Sequence, residues 1–262
     1  MTYGIIGLGT MGSAVAGALV SAGRQVIGTT HAPATATAAA ARLGIEVGTD
    51  NVALARASDV IVLGVKPYQA REVVQAIAPE LDGKLLISVC AAVTTADIRT
   101  WSGDRATVVR AMPNTPALIG AGMTVLAAGA AGSEALAVAV ELFASLGRTA
   151  VLDESLMDAA TGLSGCGPAY VFLIIEALAE AGVKLGINRA TSTLLATQTL
   201  LGSAQLVLQR GVHPAELKDE VTTPGGCTID GLVALEEGGL RSTLINGVMA
   251  AANRSRTMRT GL

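Results

Sequence analysis

The first dozen residues constrain the fold more than any other stretch. An apolar run, "YGIIG", leads directly into Gly7-x-Gly9-x-x-Gly12, and a helical pattern from about Met11 to Ala22 follows. Such a triplet is weak evidence alone. Between a first strand and a helix it is strong, because each glycine then has a physical task. Gly7 permits the tight turn, Gly9 lets a pyrophosphate approach bare backbone, and Gly12 lets helix and strand pack closely. The amides at the helix start would face the phosphates. The segment predicts a dinucleotide site that includes Ile6, Gly7, Leu8, Gly9, Thr10 and Met11.

The following residues extend the pattern. "QVIGTT" precedes an Ala-rich helix from about Pro33 to Leu43, and "DVIVLGV" precedes a helix beginning near Tyr68. "KLLISVC", "ATVVRAM", "GMTVLAA" and "RTAVL" continue the series. Strand-helix alternation implies a mainly parallel sheet covered on both faces. The direction of the later strands is left open. After about Leu152 strand signals stop. Helical patterns run from Pro168 to Lys184, Ala190 to Arg210, Pro214 to Val221, Thr228 to Glu237 and Arg241 to Arg259. Gly186, Gly211 and Gly238-Gly239 separate them as stop signals. The division expected is an α/β dinucleotide-binding domain over 1–152 and an all-α domain over 153–262.

Ligands of such sheets bind at the carboxyl ends of the strands. The second strand ends in Thr29-Thr30-His31, where an NAD site usually carries an acid that grips the ribose hydroxyls. None is present. Hydroxyls suit a 2′-phosphate, so NADPH is favoured and NADH is the alternative. His31 reads first as an exposed loop histidine and second as a phosphate contact. Gly64, Val65, Lys66 and Pro67, then Cys90, Ala91 and Ala92, fall where the fourth and fifth strands should end. Lys66 reads equally well as a cofactor contact or a surface lysine.

Composition narrows the partners. The net charge is −3 and no Lys/Arg run occurs, which argues against nucleic acid or an anionic membrane as main partner. Charged residues are 15%, against about 25% in typical chains, so an oligomer is expected to hide surface. With 2% aromatics, small side chains must build the core. Cys90, Cys166 and Cys227 show no metal-ligand spacing, which predicts no metal, a reduced compartment and a cytoplasmic location. No signal peptide is expected before the first strand. The uncharged stretch 111–133 is broken by Pro113 and Pro116, and the stretch 190–209 is dotted with Thr, Ser and Gln. The latter predicts a buried helix at a subunit interface, not a membrane span.

Three further segments remain: "RAMPNTPALIGAGMT" (110–124), "TGLSGCGPAYVF" (161–172) and "LKDEVTTPGGCTIDGL" (217–232). The centre of the last, Thr222 to Thr228, puts a proline, two adjacent glycines and three hydroxyls where a plain helix connector needs far less. With GLGTMG, GVKP and CAA, these segments resemble pyrroline-5-carboxylate reductase over essentially the whole chain. The resemblance implies a Rossmann-type N-terminal domain and a helical C-terminal dimerisation domain whose helices interleave between subunits. It implies NAD(P)H-dependent reduction of 1-pyrroline-5-carboxylate to L-proline in a homodimer or larger homo-oligomer. It assigns the substrate carboxylate to the amides of Cys227 and Thr228 and the hydroxyl of Thr223, with Gly225 and Gly226 leaving backbone bare and Pro224 pre-setting a first helical turn. The Thr228 hydroxyl should meet the imine nitrogen as the catalytic contact. Glu154 and Glu220 match positions near the substrate, and Asn51 and Asn114 positions near the cofactor. Thr222 and Thr223 stand where some relatives carry Ser, and Cys227 where small residues are common. Three alternatives stay open. They are a related cyclic imine reductase, a β-hydroxyacid dehydrogenase relying on a lysine such as Lys184, and a non-catalytic NADP-binding protein.

Overall fold

The computed structural model describes residues 1–258, so the end of the last helix expected near Arg259 lies outside the described residues. The first half runs β1 (Thr2–Ile6), α1 (Thr10–Ser21), β2 (Gln25–Thr29), α2 (Pro33–Leu43), β3 (Glu46–Gly48), α3 (Asn51–Ala57), β4 (Val60–Leu63) and α4 (Pro67–Ile77). It continues through β5 (Leu85–Ser88), α5 (Thr95–Ser102), β6 (Thr107–Met112), β7 (Gly122–Ala127), α6 (Gly132–Ala144) and β8 (Gly147–Val151). The strands form one sheet in the order β3-β2-β1-β4-β5-β6-β7-β8.

Side-chain alternation along the strands explains the double covering. Ile5, Val62, Ile87 and Val109 pack with Val15, Leu142 and Phe143 on one face. Their neighbours Ile6, Ile61, Leu63, Leu86 and Val108 pack with Leu54, Val74 and Ile98 on the other. A period of two buried on both faces gives the continuous apolar runs of a parallel sheet.

The direction left open by the sequence is resolved at β7, which pairs antiparallel with β6 and parallel with β8. Residues 113–121, with a 3-10 turn at Thr115–Ile119, are too short a link for a parallel crossover. The link from β7 to β8 carries α6 and is long enough. The sequence expectations do not name several elements, among them β3, α3, α5 and α6. β3 is three residues at the sheet edge, and α3 is a seven-residue helix capped by Asp50, whose Oδ1 accepts from the amides of Val52 and Ala53.

The helical half contains α7 (Met157–Ala160), a π turn at Thr161–Gly165, α8 (Gly167–Lys184), α9 (Arg189–Arg210), α10 (Pro214–Glu220), α11 (Cys227–Glu237) and α12 (Leu240–Met258). Two compact units result among the described residues: Met1–Cys166 with residues 249–258, and Gly167–Val248. The end of α12 joins the first unit, where the Ser255 hydroxyl donates to Asp158 Oδ1 at 2.8 Å, both residues buried. In the second unit α8 and α9 pack closely because Gly182 presents no Cβ; an added one would lie 2.5 Å from Ser192 Oγ.

The expected buried helix over 190–209 is not buried within its own chain. In α9 only Ser192 and Ala196 are buried, while Leu194 is 66% and Leu208 56% exposed. One helical run among the described residues, Glu154–Lys184, is long and apolar enough to cross a membrane by length and composition, and little of it is buried.

Candidate active site

The glycine turn is tied to the neighbouring strand: the amides of Gly7 and Leu8 both donate to Thr29 O, at 3.1 and 3.2 Å. Gly7 has φ +93°, and a Cβ there would lie 2.9 Å from the Gly64 carbonyl carbon. A Cβ on Gly12 would lie 2.0 Å from Gly7 O. These two glycines are demanded by the fold. Gly9 differs, because an added Cβ meets nothing within 4 Å. Its bareness serves something that approaches from outside. α1 has no side-chain cap at Gly9, so the amides of Thr10, Met11 and Gly12 lack intrahelical partners and are free to bind an anion. These features fit a dinucleotide pyrophosphate.

The turn opens into a cleft of about 620 Å³ at the carboxyl ends of β1, β2, β4 and β5, where the strand order reverses. Ile6 to Met11 line it, as do Thr29, Thr30 and His31 after β2. Gly64, Val65, Lys66 and Pro67 line it after β4, with Asn51 from α3 and Ala91 after β5. The Thr29 hydroxyl donates to Asn51 Oδ1 at 2.7 Å, which fixes that amide at the cleft floor. No carboxylate is among the lining residues. Instead Thr35 donates its hydroxyl to Thr30 Oγ1 at 3.0 Å, beside the start of α2, whose N-cap Ala32 offers no side-chain cap. Thr35, Thr49, Gln69 and Val73 also line the cleft and were missed. Thr35 and Gln69 sit in first helical turns after strand ends, a positional signal that was available.

Three candidate cofactor residues do not line the cleft. Cys90 is buried, and its thiol donates to Val65 O at 3.2 Å. Burial pushes that thiol up to about 11 from its ordinary value near 9.0. Ala92 is buried beside it in a left-handed conformation, φ +61°. Asn114 has both ends of its amide engaged: Oδ1 accepts from Met123 N at 2.9 Å, and Nδ2 donates to Ser164 O at 3.2 Å. It braces the start of β7 against the π turn.

In the second unit, Thr223-Pro224-Gly225-Gly226 is a tight turn closed by Gly226 N donating to Thr223 O at 3.0 Å. Proline at the second position and Gly225 at φ +68° in the third are the type II signature. This corrects the expectation for Pro224, which shapes the turn before the helix instead of opening its first turn. α11 begins at Cys227 with Gly226 as an uncapped N-cap. A Cβ on Gly226 would lie 2.4 Å from Thr223 Oγ1, so that hydroxyl stands over bare backbone. The amides of Cys227 and Thr228 are among the helix-start donors without an intrahelical partner. The half-buried Thr228 hydroxyl has no hydrogen-bond partner among the described residues.

The two acids named with this site have other partners. Glu220 forms a two-point pair with Arg210, at 2.6 and 2.8 Å. The hydrogen-bonded guanidinium holds its carboxyl below the usual carboxylate range. Glu154 lies in the first unit, where Oε1 accepts from Thr95 N at 2.8 Å and Oε2 from the Thr95 hydroxyl. Both carboxylates are thus already paired with donors of the chain.

A doubly wound sheet, a bare glycine cradle and a cleft without a ribose-gripping acid define an NAD(P)-linked oxidoreductase. Residues 2–92 match the family described as NADP oxidoreductase, coenzyme F420-dependent. Residues 154–258 match pyrroline-5-carboxylate reductase dimerisation. The chain is 44% identical to a pyrroline-5-carboxylate reductase of Glycine max, over 98% of this chain and 96% of that one. It is 36% identical to the Plasmodium falciparum pyrroline carboxylate reductase solved with NADP bound, with TM-score 0.88 and coverage of 99% and 98%. A Coxiella burnetii pyrroline-5-carboxylate reductase structure superposes with TM-score 0.91 at 34% identity, covering 97% of each chain. The chain belongs to the pyrroline-5-carboxylate reductase family.

Proposed function

We propose that this chain reduces 1-pyrroline-5-carboxylate to L-proline, the last step of proline biosynthesis, with NADPH as preferred donor and NADH as the alternative. The observation that carries the reading is the start of α11: an uncapped helix end, two bare glycines before it and a hydroxyl with no partner among the described residues. Such an end suits a small carboxylate, since backbone amides and helix dipole both favour negative charge. Thr223 Oγ1 adds a donor over Gly226, and the Thr228 hydroxyl reaches the ring nitrogen. Thr228 is no strong acid. It orients a nitrogen already protonated by solvent, and orientation contributes to rate by holding the reacting carbon in place. Bound reduced nicotinamide supplies the hydride to that carbon. The preference for NADPH is supported by the absence of a carboxylate in the cleft and by Thr30 and Thr35 beside the uncapped start of α2.

The apolar faces of α8 and α9 are covered by a second copy in this reading, not by a bilayer, in keeping with the dimerisation match over 154–258. The functional division falls at 152/153, cofactor binding before it and substrate binding and dimerisation after it. Three free thiols suit a cytoplasmic location.

The test is the loss of nicotinamide absorbance when purified protein, NADPH and pyrroline-5-carboxylate are mixed, with NADH in parallel. Substrate-dependent oxidation that yields proline, faster with NADPH, is the expected result. NADPH binding without oxidation would reject this substrate and turn the search to larger cyclic imines.

A further inference from the structure

The segment after β5 forms one wall of the cofactor cleft through Val89 and Ala91. It is held in a shape that a relaxed chain would avoid. Ala92 sits at φ +61°, where a non-glycine residue persists only if its surroundings over-determine it. At the near end the Cys90 amide donates to Ser88 Oγ at 3.3 Å and the thiol to Val65 O. At the far end Thr95, the first residue of α5, gives both its amide and its hydroxyl to the two oxygens of Glu154. The carboxylate therefore closes a helix N-terminus, where negative charge is favoured. Behind it, Arg110 on β6 brings Nη1 to 3.6 Å from Glu154 Oε1, with side-chain exposures of 1% and 22%. The chain after β7 seals the same spot, for a Cβ on Gly129 would lie 2.6 Å from Thr95 Oγ1.

We propose that Glu154 is a positioning residue: backed by Arg110, it clamps Thr95 and so holds Val89–Thr95 in the conformation that admits the dinucleotide. The inference rests on the cofactor reading above. It gives Glu154 work at the cofactor wall, whereas the resemblance placed it at the substrate. The clamp and the strain are coupled. Losing the clamp lets Ala92 relax and pulls Val89 and Ala91 out of the wall. Glycine at position 92 would take the left-handed shape without strain.

The test uses Glu154→Gln and Thr95→Val, each made in the wild-type chain and in an Ala92→Gly background, with the full-length protein throughout. Three quantities are read: NADPH Kd from nicotinamide fluorescence, KM for the imine, and the thermal midpoint. In the wild-type background each variant should weaken NADPH about tenfold, the scale of one hydrogen bond to a charged group. The imine KM should stay within about twofold, since uniform binding of the substrate is untouched. In the Ala92→Gly background the same substitutions should weaken NADPH by less than about threefold. Equal losses in both backgrounds would overturn the coupling. An unchanged NADPH Kd would overturn the clamp, whether the imine KM rises (a substrate contact) or only the thermal midpoint falls (a merely structural brace). Because Kd is read without turnover, the clamp is decided whether or not the wild-type chain reduces this imine.

Discussion

Thr228 and Cys90 show how differently two small side chains can be used. Thr228 stands at an uncapped helix start, its hydroxyl without a hydrogen-bond partner among the described residues. Replacing it with alanine should lower turnover about 10- to 100-fold, the scale of one hydrogen bond to a charged group, with the thermal midpoint little changed. Steady-state kinetics with a parallel melting curve checks this, and unchanged turnover would remove Thr228 from the mechanism. Cys90 is committed to Val65 O, and burial pushes its thiol up to about 11. A raised thiol pKa makes a stability contribution that is complete below the ordinary value near 9.0 and lost as pH climbs through about 11. Melting midpoints taken across that window should fall. Iodoacetamide near neutral pH should label exposed Cys227 and spare Cys90, read by peptide mass.

At the scale of elements, the glycine turn separates what the fold requires from what the ligand requires. A Cβ at Gly12 collides with Gly7 O, whereas one at Gly9 meets nothing. Gly12→Ala should therefore lower the thermal midpoint by several degrees, the effect of about 1–3 kcal/mol of overpacking in a chain of this size. Gly9→Ala should leave the midpoint nearly unchanged and weaken NADPH binding. Calorimetry and a binding titration separate the two, and equal midpoint losses would contradict the assignment of Gly9 to the ligand. The strands, α1 and α2 were legible because hydrophobic period and glycine spacing are local. β3 and α3 were passed over because a three-residue edge strand and a seven-residue helix carry little periodicity. Pro224 was read as helical because Pro suits a first turn. The φ of +68° at Gly225 makes it the corner of a separate turn.

The whole molecule is short of charge and leaves an apolar helical surface uncovered. Leu194, Leu195, Leu201 and Leu208 on α9 are all about half exposed or more. An uncovered face of this kind is what a second copy would bury. Leu195→Glu should shift the protein toward monomer in analytical ultracentrifugation and reduce activity at the same concentrations. Dilution of the unmodified chain until dimers dissociate should do likewise. A fully active monomer in either experiment would show that the active site is complete within one chain.

The glycine spacing, the strand-helix alternation, the missing acid after β2 and the TTPGGCT turn all lie within short stretches of chain. Backbone conformation and helix termini depend on neighbours in sequence, so these features could be read without coordinates. The partners of Glu154, Glu220 and Asn114 could not. Glu154 meets Thr95 across 59 residues and Asn114 meets Ser164 across 50. Glu220 is reached by Arg210 only because α9 ends at Gly211 and the chain turns back into α10. An isolated acid or amide carries no local mark of which donor will satisfy it. That choice belongs to packing, which sets Glu154 against Thr95 and Arg110.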